Sequence, residues 1–225
     1  MITDESNKVI QQIPELTGSK GATIAKIIGC MKQAVLPFKN ACRQTNLHRP
    51  LNENKLTEIY VEQVEVFVKP IPNLGVKNQY SDTFFGSKGI PDFYFHIVEE
   101  GIHHKPLLVV ESKLLPSPDK KKREREYVAG NKNNGGIERF KMEKHGKGLN
   151  ECGMIGFVQE ETFPFWQQCI NTWISDLSSC MPDIWKTDEI LVKIESRKDF
   201  VILQSIAHRV SKKDIRLNHL WINIQ

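Results

Sequence analysis

The residues of this chain best suited to chemistry are an aspartate, a glutamate and a lysine carried by two apolar runs. Asp92 opens the strand-like end of Gly89-Ile90-Pro91-Asp92-Phe93-Tyr94-Phe95, and nineteen residues later Val109-Val110-Glu111-Ser112-Lys113 supplies the other two. Residues two apart on a strand share a face, so Glu111 and Lys113 point one way and Ser112 the other, where its side chain is expected only to fill space. If the two runs pair, two carboxylates and an ammonium converge at the ends of neighbouring strands. Such a set suits a divalent cation beside a phosphodiester and a water activated to attack it.

The elements around these residues read as strands and a helix that would hold them. Pro106-Leu107-Leu108-Val109-Val110 is continuously apolar, as expected of a strand buried on both faces. Turn residues, Glu99-Glu100-Gly101 and then Lys105-Pro106, separate it from the first run. The competing reading is a hairpin with a turn aspartate and a surface Glu/Lys pair. His96, His103 and His104 fall on this hairpin and read as exposed loop histidines, because no further ligand has metal-site spacing. Upstream, a helix is predicted from about Glu53 to Lys69, entered through Asn52 and stopped by Pro70 and Pro72. At 100° per residue Leu56, Ile59, Tyr60, Val64 and Phe67 share one face, and Glu53 lies on it, whereas Glu58, Glu62 and Glu65 lie opposite. Glu53 can therefore face the strands, or serve as a first-turn carboxylate favoured by the helix dipole.

Pro91-Asp92 followed by Glu111-Ser112-Lys113 resembles the PD-(D/E)XK nuclease superfamily, the restriction-endonuclease-like fold, over roughly residues 51 to 160. The resemblance implies an α/β fold with an αβββαβ core, a mixed central sheet flanked by helices. It implies catalytic roles for Asp92, Glu111 and Lys113, with Glu53 as a fourth, helix-borne acid. Asp92 and Glu111 would hold Mg²⁺, with Mn²⁺ able to substitute, and the main-chain carbonyl of Ser112 would add a ligand. Lys113 would position the attacking water or stabilise the developing charge. Two close carboxylates repel, so without metal one of them should hold its proton unusually tightly. The activity implied is hydrolysis of DNA, as a deoxyribonuclease of endonuclease type in a phage-defence or restriction-type system. DNA is the implied partner, with other subunits of such a system and a second copy of the chain as further partners. A binding module on the same fold with little cleavage, and an RNA-cleaving toxin-like nuclease, are the alternatives.

The rest of the chain divides into an N-terminal helical appendage over residues 1–50 and a nuclease domain over 51–225 with a C-terminal strand extension. Asn7 to Ile13 and Thr23 to Val35 are helix candidates, the second followed by Pro37. The intervening Leu16–Thr23 stretch is no P-loop, lacking a correctly placed Gly-Lys-Ser/Thr. Residues Asp119 to Tyr127 form a charge run, a solvated helix surface or a basic flank in which Arg123 contacts phosphate. Gly130 to Gly136 reads as a loop opening a helix over Ile137 to His145. There the N–H groups of Gly135 and Gly136 could hold phosphate oxygens, with charge added by Arg139 and Lys144. Met154–Val158 reads as a buried strand, and about Phe165 to Leu177 as a helix with Trp166, Ile170, Trp173, Ile174 and Leu177 inward. Phe200–Leu203 and Ile215–Ile224 read as extra strands, a hairpin on the sheet edge.

Composition narrows the classes. Of 225 residues 40% are hydrophobic, the mark of a globular chain, and the net charge of +4 permits nucleic-acid binding without demanding it. The five cysteines form no C-x-x-C pair, which argues against a zinc ribbon or disulfide framework and for a reducing cytoplasm. No apolar run approaches ~20 residues, so no membrane span is expected, and Met1–Ser6 has no secretory-signal character. No Gly-x-Ser-x-Gly elbow supports a serine hydrolase.

Overall fold

The computed structural model describes residues 20–44, 51–99, 105–119 and 123–225. The helix expected at Asn7–Ile13, the histidines His103 and His104, and Lys120 to Lys122 lie outside them. Helices α1 (Lys20–Gln33), α2 (Val35–Cys42) and α3 (Glu53–Val68) precede three strands, β1 (Leu74–Asn78), β2 (Phe93–Ile97) and β3 (Pro106–Leu115). Helix α4 (Gly136–Lys141), strand β4 (Glu151–Val158) and helix α5 (Phe163–Cys180) follow, then β5 (Val192–Ser196), β6 (Phe200–His208) and β7 (Asp214–Asn223). All seven strands form one mixed sheet in the order β1-β2-β3-β4-β7-β6-β5. The β3/β4 and β4/β7 pairs are parallel and the others antiparallel.

Alternation along the central strands sorts their side chains between two layers. Phe93, Leu108, Val110, Ile155 and Phe157 face α1, α2 and α3, whereas Val109, Leu115, Met154 and Val158 face α4 and α5. Because both faces are covered, β3 and β4 are buried almost throughout, as their apolar sequence demands. Helix α3 begins where expected: Asn52 caps it, its side chain accepting from Lys55 N at 2.9 Å.

Three expectations need correction. The described helices of the first fifty residues are not separable. Phe38 of α2 lies 5.4 Å from Tyr60 and 5.4 Å from Phe157 between ring centres, and Tyr60 Oη donates to Met31 O at 2.7 Å. Lys32 and Lys39 also pair with Glu195 and Asp199, each at 2.5 Å, tying α1 and α2 to the β5–β6 end of the sheet. Pro37 does not stop a helix; it sits in the first turn of α2, where its missing N–H has no intrahelical partner to lose. The C-terminal strands are not an edge hairpin. Strand β7 lies beside β4 inside the sheet, β6 beyond it, and the edge on that side is β5, a short strand whose alternating Val192 and Ile194 are exposed.

Candidate functional site

The site is built on a notch in the sheet. Strand β2 begins at Phe93, paired with Val110, so β3 runs on from Glu111 to Leu115 with no strand on that side. The backbone groups that β2 would have satisfied must find other partners. Ser112 N donates to Asp92 Oδ2 at 2.6 Å, and Leu114 N donates to Glu53 Oε2 at 3.0 Å. Ser112 O accepts from Lys113 Nζ at 2.7 Å. Carboxylates from the start of β2 and the start of α3 thus replace a missing strand, and the same contacts fix their positions.

Lys113 Nζ is the hub. It donates to Glu111 Oε1 at 2.8 Å and to Glu53 Oε1 at 3.1 Å. Asp92, Glu111, Lys113 and Glu53 are therefore brought together as the sequence anticipated, Glu53 by facing the strands rather than solvent. Glu111, only 1% exposed, also accepts from Arg139 Nη1. His145 Nδ1 stands 3.2 Å from Glu111 Oε2, close enough for charge interaction but outside hydrogen-bond geometry, and neither atom has another hydrogen-bond partner.

The electrostatics separate the two strand carboxylates. Burial, and then repulsion from Glu111, push the Asp92 pKa up to about 7 against the opposing pull of Lys113 and the Ser112 N–H. Burial acts on Glu111 in the same direction, but Lys113, His145 and Arg139 together outweigh it and hold its pKa down to about 2. Burial would lower Lys113, and its carboxylate neighbours Glu111, Glu53 and Asp92 raise it above the ordinary value instead. One carboxylate of the pair thus keeps its proton to neutral pH while the other is firmly ionised, the asymmetry expected of crowded acids.

These residues fit a hard divalent cation. Asp92 and Glu111 offer oxygen donors, and Glu111 Oε2 is a buried carboxylate oxygen without a hydrogen-bond partner. Mg²⁺ needs one or two carboxylates because it keeps waters and takes phosphate oxygens. Among the described residues no three or more His, Cys, Asp or Glu side chains form a ready metal cage. The Ser112 carbonyl, expected as a further ligand, is engaged by Lys113, and its hydroxyl is buried without a partner.

The residues expected to bind nucleic acid are placed differently. The N–H groups of Gly135 and Gly136 are not available to phosphate. Gly135 N donates to the Glu138 carboxylate at 3.2 Å, and Gly136 N donates to Glu126 O at 2.8 Å. Ile137 N and Glu138 N likewise donate to Tyr127 O and Val128 O. The glycines are there for close approach: a Cβ on Gly135 would come within 2.2 Å of Ala129 Cα. Lys144 spends its ammonium on Lys132 O, Asn133 O and Asn134 Oδ1, pinning that loop rather than a ligand. Arg123 pairs with Glu126 at 2.5 Å and lines, with Arg125 and Arg139, a cleft of about 760 Å³. The charge run is a series of turns, not a helix, over residues 123–127.

Helix α4 also ends earlier than expected, at Lys141. Lys144 N and His145 N both fold back onto Arg139 O, with positive φ at Glu143 and Gly146. That turn carries His145 to Glu111, a placement that sequence reasoning missed because a continued helix would aim the residue elsewhere. His96, expected to be exposed, is buried in β2. His219 is fully buried, its pKa lowered by burial to about 3, between Tyr127 Oη at 2.9 Å and Ser205 Oγ at 3.0 Å. Arg209 donates to Leu149 O and Gly146 O.

Comparison with family models, with curated proteins and with solved structures gives no match to this chain. No described helix is long and apolar enough to cross a membrane, and none of the five cysteines is joined in a disulfide.

Proposed function

We propose that this protein is a metal-dependent nuclease that hydrolyses DNA phosphodiester bonds, in the manner of the PD-(D/E)XK superfamily. The observation that carries the reading is the convergence of Asp92, Glu111, Glu53 and Lys113 at the unpaired end of β3. The element order α3-β1-β2-β3-α4-β4, with β1 to β3 antiparallel and β4 parallel to β3, agrees with an αβββαβ core. Restriction-type or phage-defence work is the biological setting that the resemblance suggests.

A Mg²⁺ or Mn²⁺ ion held by Asp92 and Glu111 would supply charge neutralisation and water activation at the scissile phosphate. The chain's own part is positioning. Glu53 and Glu111 hold the Lys113 ammonium from two sides, so that it stays charged and aimed at the place where negative charge develops. Asp92, with a pKa near 7, becomes fully ionised when a cation stabilises its charge.

The test is cleavage of plasmid DNA with Mg²⁺ or Mn²⁺ by the wild type, Asp92→Ala and Lys113→Ala. The wild type should nick or linearise the plasmid and both variants should fail. Equal cleavage by all three proteins would remove these residues from catalysis.

A further inference from the structure

We propose that Arg139 is a substrate-operated latch on Glu111, so that a nucleic-acid phosphate and the divalent cation bind with positive coupling. The inference rests on the nuclease reading above and adds to it a role for a residue outside the motif.

Glu111 Oε1 accepts from both Lys113 Nζ and Arg139 Nη1. A carboxylate oxygen offers about two strong acceptor directions, so this one is saturated. Lys113 is buried and held by Glu53 as well, and has nowhere to go. Arg139 differs. Its side chain is 26% exposed and lines the same cleft as Arg123 and Arg125, so the guanidinium stands at the boundary between the buried carboxylates and open solvent. The other cleft arginines are already paired, Arg123 with Glu126 and Arg125 with Asp176 at 3.0 Å. The loop wall is fixed by Lys144.

A guanidinium binds phosphate with the same fork geometry that it uses for a carboxylate. A strand phosphate entering the cleft therefore competes with Glu111 for Arg139. Once Arg139 turns to the phosphate, Glu111 Oε1 loses one of its two donors and becomes free to take a cation. Before substrate arrives, the latch blocks Oε1, so a cation has only Oε2 to bind and meets the guanidinium's positive charge beside it. By linkage the effect is reciprocal: the cation, in displacing Arg139, favours phosphate binding.

The test is calorimetric Mn²⁺ titration of the wild type, Arg139→Gln and Arg139→Lys, each alone and with a cleavage-resistant phosphorothioate DNA duplex, with melting curves to confirm folding. Arg139→Gln alone should bind Mn²⁺ about tenfold more tightly than the wild type, and Arg139→Lys should fall between them. The duplex should tighten Mn²⁺ binding clearly more in the wild type than in Arg139→Gln, because in the variant there is no latch to open. Unchanged or weaker Mn²⁺ affinity in folded Arg139→Gln overturns the latch, as does equal tightening by the duplex in both proteins. Asp92→Ala separates the two levels. If it abolishes Mn²⁺ binding while Arg139→Gln changes nothing, only the latch fails; if it leaves Mn²⁺ binding intact, the nuclease reading fails with it.

Discussion

Two buried lysine–glutamate pairs in this molecule differ in how completely they are closed. Lys141 lies under Trp185, 4.7 Å from the ring centre, and donates to Glu189 and to His208 O at 3.0 Å. Glu189 in turn accepts from His208 N at 2.6 Å and Lys186 N at 3.0 Å. One cation and one anion use each other and the surrounding backbone. At Lys113 the count is uneven: Glu111, Glu53 and Asp92 surround it, Glu111 Oε2 has no hydrogen bond, and Asp92 keeps its proton to about pH 7. A closed pair only needs to stay buried. An open one is balanced, Glu111 and Glu53 against Lys113 and Arg139, only while Asp92 keeps its proton; ionised Asp92 adds an uncompensated negative charge, which is the condition for attracting another cation.

The largest way to break this comparison is to open the closed pair. Glu189→Gln leaves the Lys141 ammonium buried without a counter-charge and should cost about 3–5 kcal/mol of stability, read from urea unfolding. Metal-dependent cleavage per folded molecule should be preserved; its loss in folded protein would mean that the two clusters are not independent. Next comes Lys113→Met, which should lower cleavage by about 100- to 1,000-fold, or about 2.7–4 kcal/mol of transition-state stabilisation, measured as plasmid nicking at saturating Mg²⁺. A fall below about tenfold would return Lys113 to the same structural class as Lys141.

Much of this was legible in the sequence, and the parts that were not have a common cause. The strand-borne Asp92, Glu111 and Lys113 and the helix-face position of Glu53 follow from local periodicity, which dictates direction within one element. The notch did not, because it depends on where β2 starts relative to β3, a register set by pairing across the sheet. Nor did His145, delivered by a reversal after Lys141 with positive φ at Glu143, a non-glycine residue that gives no turn signal. The first helices looked separable because their proline punctuation was read locally, whereas Phe38 and Tyr60 meet only in the folded core. Strand β5 alternates Val192 and Ile194 with Lys193 and Glu195 but leaves both apolar side chains exposed, so its membership of the sheet is decided by its partner β6.

A subtler probe sharpens the contrast by moving stability the other way. Asp92→Asn keeps an oxygen for the Ser112 N–H but removes the charge that Glu111 repels. The folded pKa of about 7 stands above the ordinary 3.8, so ionised Asp92 destabilises the fold. The penalty is absent at pH below 3.8, where folded and unfolded chains are both protonated. It grows as the unfolded chain ionises first, and is complete above about pH 7. In metal-free buffer Asp92→Asn should therefore exceed the wild type in stability by on the order of 1–3 kcal/mol at alkaline pH, with the gain shrinking toward acid, while cleavage is lost. A variant no more stable than the wild type at any pH would mean that the carboxylates are not in conflict.

The smallest effect belongs to a third arrangement, neither closed nor buried. His208 presents Nδ1 to Asp214 at 2.7 Å and Nε2 to Asp188 at 3.1 Å. Two carboxylates facing two ring nitrogens require both nitrogens to carry protons, hence an imidazolium. Partial burial works against the charge, but the paired carboxylates outweigh it and raise the pKa above 6.5. A raised folded pKa gives stability that is fully present below the unfolded value of 6.5 and lost as pH climbs through the folded one. Both aspartates are exposed, so solvent screening limits the contribution to about 0.5–1 kcal/mol. His208→Gln should thus lower stability by that amount in mildly acidic buffer and by nothing measurable at alkaline pH. Added salt should shrink the acidic difference, as it would not for Lys141–Glu189, where no solvent reaches the pair. A salt-insensitive difference would show that His208 acts through packing, and that exposure is not what separates it from the two buried clusters.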